Sequence, residues 1–157
     1  MDSSTRHALI ERYNQGYDEV LRALTGISDE ELDARPMADE WTPREIVHHL
    51  ADSEMTSAIR LRRLLAEDNP TIDGYDEALF ARVLHYGARP IQPSLDAFRA
   101  ARTTTTSILE RLDDADWSRA GTHSESGRYS VEDWLTLYAA HAHDHAEQIR
   151  RARETGG

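Results

Sequence analysis

The segment SVEDWLTLYAAHAHDHAEQIRR, residues 130–151, decides the fold class. Ser130 ahead of Val131, Glu132 and Asp133 has the form of a capped helix start. Trp134, Tyr138 and Ile149, with Val131 beside them, then repeat as one apolar stripe at helical spacing. With about 100° per residue and Trp134 at zero, His141 falls at about −20°, His145 at about +20° and His143 at about 180°. This reading predicts an amphipathic helix to about Arg153, with His141 and His145 turned inward one turn apart. It leaves His143 facing water.

The rest of the chain reads in the same period. Ile10, Tyr13, Tyr17, Val20, Leu21 and Leu24 mark a first helix stopped by Gly26. Ser28-Asp-Glu-Glu-Leu reads as one short capped turn. Thr42-Pro43-Arg44-Glu45 is a helix start by three signals: a capping hydroxyl, proline at the first helical position and glutamate three after the cap. That helix should reach about Glu67, before Asn69-Pro70. A short helix follows around Asp76 to Leu84. Ser94 reads as the cap of another, through about Leu112, in which the run Thr103–Thr106 lowers helix propensity. Gly121 to Tyr129 reads as a loop, and no strand-like alternation is long enough to compete. Four long amphipathic helices around one core predict an all-α four-helix bundle, in a single domain over residues 1–157.

Composition narrows the function classes. The chain carries 18 basic against 29 acidic residues, a net charge of −11, and every basic residue is arginine. So acidic a balance argues against nucleic acid or an anionic membrane as partner. The arginine clusters Arg60/Arg62/Arg63 and Arg150/Arg151/Arg153 read as solvation of helix ends, with anion binding as the alternative. There is no cysteine, hence no disulfide, no thiolate nucleophile and no cysteine-ligated zinc. The opening MDSSTRHALIERYNQ lacks the apolar core of a signal peptide, so a cytoplasmic protein with a small-molecule substrate is expected.

The histidines carry the chemistry. In the second long helix the stripe is Ile46, Leu50, Leu61 and Leu64, with Ser53 and Ser57 leaving room for a pocket or for close helix packing. Measured from Ile46, His49 lies at about −60° and His48 at about 200°. His49 is therefore the inward candidate, and His48 shares the outer face with Glu45 and Asp52. Three inward imidazoles, His49, His141 and His145, would each need a partner, and one shared divalent ion satisfies all of them. Three histidine ligands also leave a coordination position open, as catalytic zinc sites do. The alternative is three structural histidines bonded to core tyrosines. Glu54, at about 80° from Ile46, and Arg102, among Leu95, Phe98 and Leu109, are the candidate helper residues. Glu54 would orient a water or a ligand histidine, against the simpler reading of a surface carboxylate. Arg102 would hold a substrate carboxylate, against a side chain whose head reaches the bundle rim.

Two blocks, WTPREIVHHLADSE at 41–54 and HAHDHAEQIRR at 141–151, resemble the DinB/YfiT-like superfamily of metal-dependent enzymes. SLDAFRAAR at 94–102 and the Asp116-Trp117 pair followed by GRYSVEDWL are weaker matches. The resemblance implies a four-helix bundle with crossover connections, assembled as a homodimer. It also implies a divalent metal (zinc, nickel or iron) on His49, His141 and His145, the three residues the helical wheels select. The reaction it implies is transfer of a low-molecular-weight thiol such as bacillithiol, mycothiol or glutathione to a small electrophile. A metal-activated-water hydrolase and a non-catalytic metal-binding stress-response protein are the alternatives.

Overall fold

The structure is a computed structural model describing residues 1–155. Four long helices form the body: α1 (Ser3–Leu24), α3 (Pro43–Ala66), α5 (Gln92–Leu109) and α7 (Val131–Glu154). α7 packs between α1 and α3, and α5 closes the ring by touching both α3 and α1. Short elements fill the connections: α2 (Asp29–Leu32), β1 (Thr71–Ile72), α4 (Glu77–Val83), a 3-10 turn at Tyr86–Ala88, α6 (Asp114–Trp117), β2 (Ala120–His123) and β3 (Gly127–Ser130).

The two helices that bear the histidines start where the sequence signals put them. Thr42 accepts from the Glu45 amide while the Glu45 carboxylate accepts from the Thr42 amide, and Pro43 opens α3. Ser130 and Asp133 form the same reciprocal pair at the start of α7. Both helices then present apolar faces to one core. Its lower half gathers Tyr13, Leu61, Leu64, Leu109, Trp134 and Leu135; the upper half gathers Val20, Ile46, Leu50, Phe98, Ala146 and Ile149. Trp134 is fully buried and its Nε1–H donates to the Ser57 carbonyl at 2.8 Å, so Ser57 serves close packing.

Two boundaries differ from expectation. α5 begins at Gln92 with no side-chain cap and ends at Leu109, short of Leu112. Ser94 is buried, and its hydroxyl faces His48 rather than a helix end. In the threonine run, Thr103 donates back to the Arg99 carbonyl at 2.9 Å and Thr106 to Asn14 at 2.6 Å, which offsets part of the propensity loss.

The segment read as a loop over Gly121–Tyr129 is a hairpin. β2 pairs antiparallel with β3, and β1 joins β2 in parallel, with Thr71 opposite Thr122 and Ile72 opposite His123. Strands of two and four residues are too short to show alternation in sequence, and the parallel pairing joins residues about fifty apart. Gly121 is required there, because a Cβ would collide with the Pro70 carbonyl and ring.

Candidate metal centre

His49 enters from α3, and His141 and His145 from consecutive turns of α7. His49 Nε2 and His141 Nε2 lie 3.4 Å apart, and one donor atom from each of the three histidines falls within 4.8 Å of the others. Ring centroids are 5.3 Å apart for His49–His141, 4.7 Å for His49–His145 and 4.6 Å for His141–His145. The rings are walled by Trp41, 4.6 Å from His49, and by Tyr138, 5.5 Å from His141.

Electrostatics keep the three imidazoles neutral. Burial, then the neighbouring His145, pushes His49 down to about 3. Burial drives His141 well below the ordinary histidine value, with His145, His49 and Arg102 acting in the same direction. Burial also lowers His145, against the opposing effects of its Gln148 hydrogen bond and Asp144. His145 Nδ1 pairs with the Gln148 side-chain oxygen at 2.8 Å. That bond places the proton on Nδ1 and leaves Nε2 as a lone pair for the cluster.

The donor set fits a divalent cation. Neutral imidazoles are the ligating form, and ligands at about 2.0–2.1 Å around a tetrahedral ion are about 3.4 Å apart, the spacing seen between His49 and His141. An all-nitrogen set suits zinc, nickel, copper or iron and does not choose among them.

The other histidines lie elsewhere. His143 turns away from the cluster, as the wheel indicates, and bonds the Arg12 carbonyl of α1 at 2.9 Å. His48 departs from expectation: it is fully buried. Its Nε2–H donates to the Arg89 carbonyl at 3.2 Å, and Nδ1 accepts from the Ser94 hydroxyl at 2.7 Å. The cause is the 67–91 connection, which folds back over the outer face of α3 and puts Tyr86 5.5 Å from the His48 ring. Tyr86 also donates its hydroxyl to Asp52.

Glu54 and Arg102 correct two further expectations. Glu54 is no surface carboxylate and Arg102 does not reach the rim; they are 0% and 3% exposed. Arg102 Nε donates to Glu54 at 2.9 Å, its other nitrogens donate to the Tyr13 and Tyr138 carbonyls, and Tyr13 donates its hydroxyl to Glu54. The guanidinium lies 4.1 Å from the Tyr13 ring centroid. This network ties all four long helices together, and its anion is the protein's own. Arg102 thus pairs with Glu54 rather than with a substrate carboxylate.

Beside the histidines is a cavity of about 180 Å³, reached by Ser53, Arg60, Tyr75, His123, Tyr138 and His141. Ser53, one of the two small inner residues, thus does line a pocket. Arg60 points into it instead of solvating a helix end, while Arg62 and Arg63 bond Thr105 and Glu67. Tyr75 and His123 were missed by sequence reasoning. They sit in connections with no periodicity to assign a face. Gln148 carried a findable signal, lying three residues after His145.

A bundle of this topology with three convergent histidines defines a class, and the comparisons agree with it. The chain belongs to the DinB superfamily, whose sequence profile matches residues 12–149. Among its relatives is a protein of Oceanobacillus iheyensis, 37% identical over 78% of this chain and 71% of the relative, named "Putative metal-dependent hydrolase". A Bacillus mycoides protein of the same name is 33% identical over 87% of this chain and 79% of its own. The solved structure of YfiT from Bacillus subtilis superposes with a TM-score of 0.92 at 27% identity, covering 98% of this chain and 89% of that one. It is described as "a probable metal-dependent hydrolase with an unusual four-helix bundle topology".

Proposed function

We propose that this protein is a metal-dependent hydrolase of a small ester or amide, with His49, His141 and His145 as the metal ligands. The observation that carries the reading is the convergence of three neutral imidazoles, His49 buried and His141 and His145 half-buried, from two helices beside a cavity. A divalent cation held there supplies the Lewis acidity that lets water ionise near neutral pH. The chain's own contribution is positional. Gln148 fixes the His145 ring, Trp41 and Tyr138 exclude bulk water from two sides, and the cavity wall of Ser53, Arg60 and Tyr75 receives the substrate. The names of the relatives favour water as nucleophile.

A second reading has one observation behind it. The chain holds no cysteine, so a thiol nucleophile would have to come from outside and enter through that cavity, as in a thiol S-transferase. Protein purified without an affinity tag should contain a stoichiometric transition metal by elemental analysis. It should hydrolyse small esters or amides without thiol, and chelation should stop it. If turnover requires bacillithiol, mycothiol or glutathione, and cobalt-substituted protein gains a thiolate charge-transfer band, the transferase replaces the hydrolase. Metal-free protein as isolated, with no metal uptake, would overturn both.

A further inference from the structure

The cavity of about 180 Å³ beside the ligand histidines has two further nitrogen-bearing side chains in its lining, His123 and Arg60. Both are half-buried. Each keeps one nitrogen without a hydrogen-bond partner among the described residues, Nε2 in His123 and Nε in Arg60. Neither atom is among the fully buried unpartnered ones, so both stay open to an incoming molecule.

The tautomer of His123 follows from its neighbour. The Glu125 backbone N–H lies 3.2 Å from His123 Nδ1, and a backbone amide can only donate, so Nδ1 accepts. The neutral ring therefore carries its proton on Nε2 and is a hydrogen-bond donor, not a base. Its position is fixed as well. His123 sits on β2 between Ile72 of β1 and Gly127 of β3, with its ring 5.5 Å from that of Tyr129. β3 ends at Ser130, the cap of α7, so the sheet is tied directly to the helix that bears His141. Arg60 is held from α3 by the Asp73 carbonyl and the Tyr138 hydroxyl, its guanidinium 6.0 Å from the Tyr75 ring centroid. The other charged lining residues, Glu77 and Glu125, are both acidic, which disfavours a free anion. The ligand that fits is a neutral carbonyl, whose oxygen gains negative charge only as it is attacked.

We propose that His123 Nε2–H and the Arg60 guanidinium are the donors that bind the substrate's carbonyl oxygen and stabilise the charge it gains during hydrolysis. Neither group gives up a proton. Each donates a hydrogen bond that strengthens as the oxygen becomes anionic. The catalytic role rests on the hydrolase reading; the tautomer of His123 and the binding of a carbonyl compound do not.

The test has a binding arm and a kinetic arm. In isotopically labelled, metal-free protein, long-range heteronuclear NMR should show His123 as the Nε2–H tautomer. Added acetamide should shift His123 Nε2 and Arg60 Nε while the outward His143 stays unmoved. His123→Phe and Arg60→Met should each weaken acetamide binding about 3–10-fold, the effect of losing one hydrogen bond. His123→Gln and Arg60→Lys, which keep an N–H donor, should lose less. With metal bound, His123→Phe and Arg60→Met should each lower kcat for p-nitrophenyl acetate about 10–100-fold at little-changed KM, with circular dichroism and metal content as in the parent. An Nδ1–H tautomer, acetamide that leaves both side chains unmoved, or parental kcat in both variants would overturn the proposal. If acetamide shifts both side chains but no ester or amide is turned over, the hydrolase reading fails and the pair stands as a carbonyl-binding site.

Discussion

Each of His49, His141 and His145 contributes one of three donor atoms, so His49→Ala, His141→Ala and His145→Ala should each abolish stoichiometric metal binding. His143→Ala should retain it, because His143 bonds only the Arg12 carbonyl on the far side of α7. His48→Ala should also retain the metal but lower stability by about 1–3 kcal/mol, since Ser94 and the Arg89 carbonyl lose a buried partner. Elemental analysis and denaturant midpoints on the five variants separate these outcomes. Equal metal content in the His141 and His143 variants would sink the assignment. Gln148→Ala leaves all three rings but frees the His145 tautomer. Metal affinity should fall about 10–100-fold, the usual effect of losing an outer-shell partner, as read by competition with a chromophoric chelator.

At the scale of elements, the Glu54–Arg102 pair is the contact that α1, α3, α5 and α7 share. Removing one partner leaves a buried charge uncompensated, so Glu54→Gln or Arg102→Met should each cost about 3–5 kcal/mol in urea unfolding. The double variant should recover part of that loss, because no lone charge remains. Gly16 belongs to the same arrangement. A Cβ there would meet the Arg102 guanidinium and come within 2.7 Å of Ala142 Cβ, forcing α1 away from α7. Gly16→Ala should therefore destabilise by about 1–3 kcal/mol despite its better helix propensity. A neutral or stabilising result would show that Arg102 can withdraw.

For the whole molecule, the depressed histidines link stability to pH. The unfolded chain takes up protons near the reference histidine value of about 6.5, whereas folded His49 resists until about 3. His141 and His145 are lowered in the same direction. Below about 6.5 the unfolded state thus binds more protons, and stability falls progressively as pH drops toward about 3. Metal binding requires the same deprotonated rings, so the holo protein should lose its metal over the acidic part of this range. Melting temperature measured against pH, with and without chelator, should show a larger decline for the holo form. A melting temperature independent of pH between about 7 and 4, spanning the histidine reference value, would contradict the buried neutral state of the cluster.

Helical periodicity is a local property, and it was enough to place the long helices, their capping residues Thr42 and Ser130, and the inward faces of His49, His141 and His145. Those three meet because apolar stripes of neighbouring helices must share one core, which carries along any residue lying on the stripe. Charge and the lack of cysteine were equally plain without a fold. Other features depended on residues far apart in the chain. His48 is buried only because the 67–91 connection crosses α3 and brings Arg89 to it, while α5 brings Ser94. Glu54 and Arg102, 48 positions apart, are internal because each neutralises the other, which no single helix wheel can show. The small sheet rests on a parallel pairing of Thr71–Ile72 with Thr122–His123, and the cavity on connections that carry Tyr75 and His123. In those segments side-chain direction follows from tertiary contact, since short irregular chain has no period of its own.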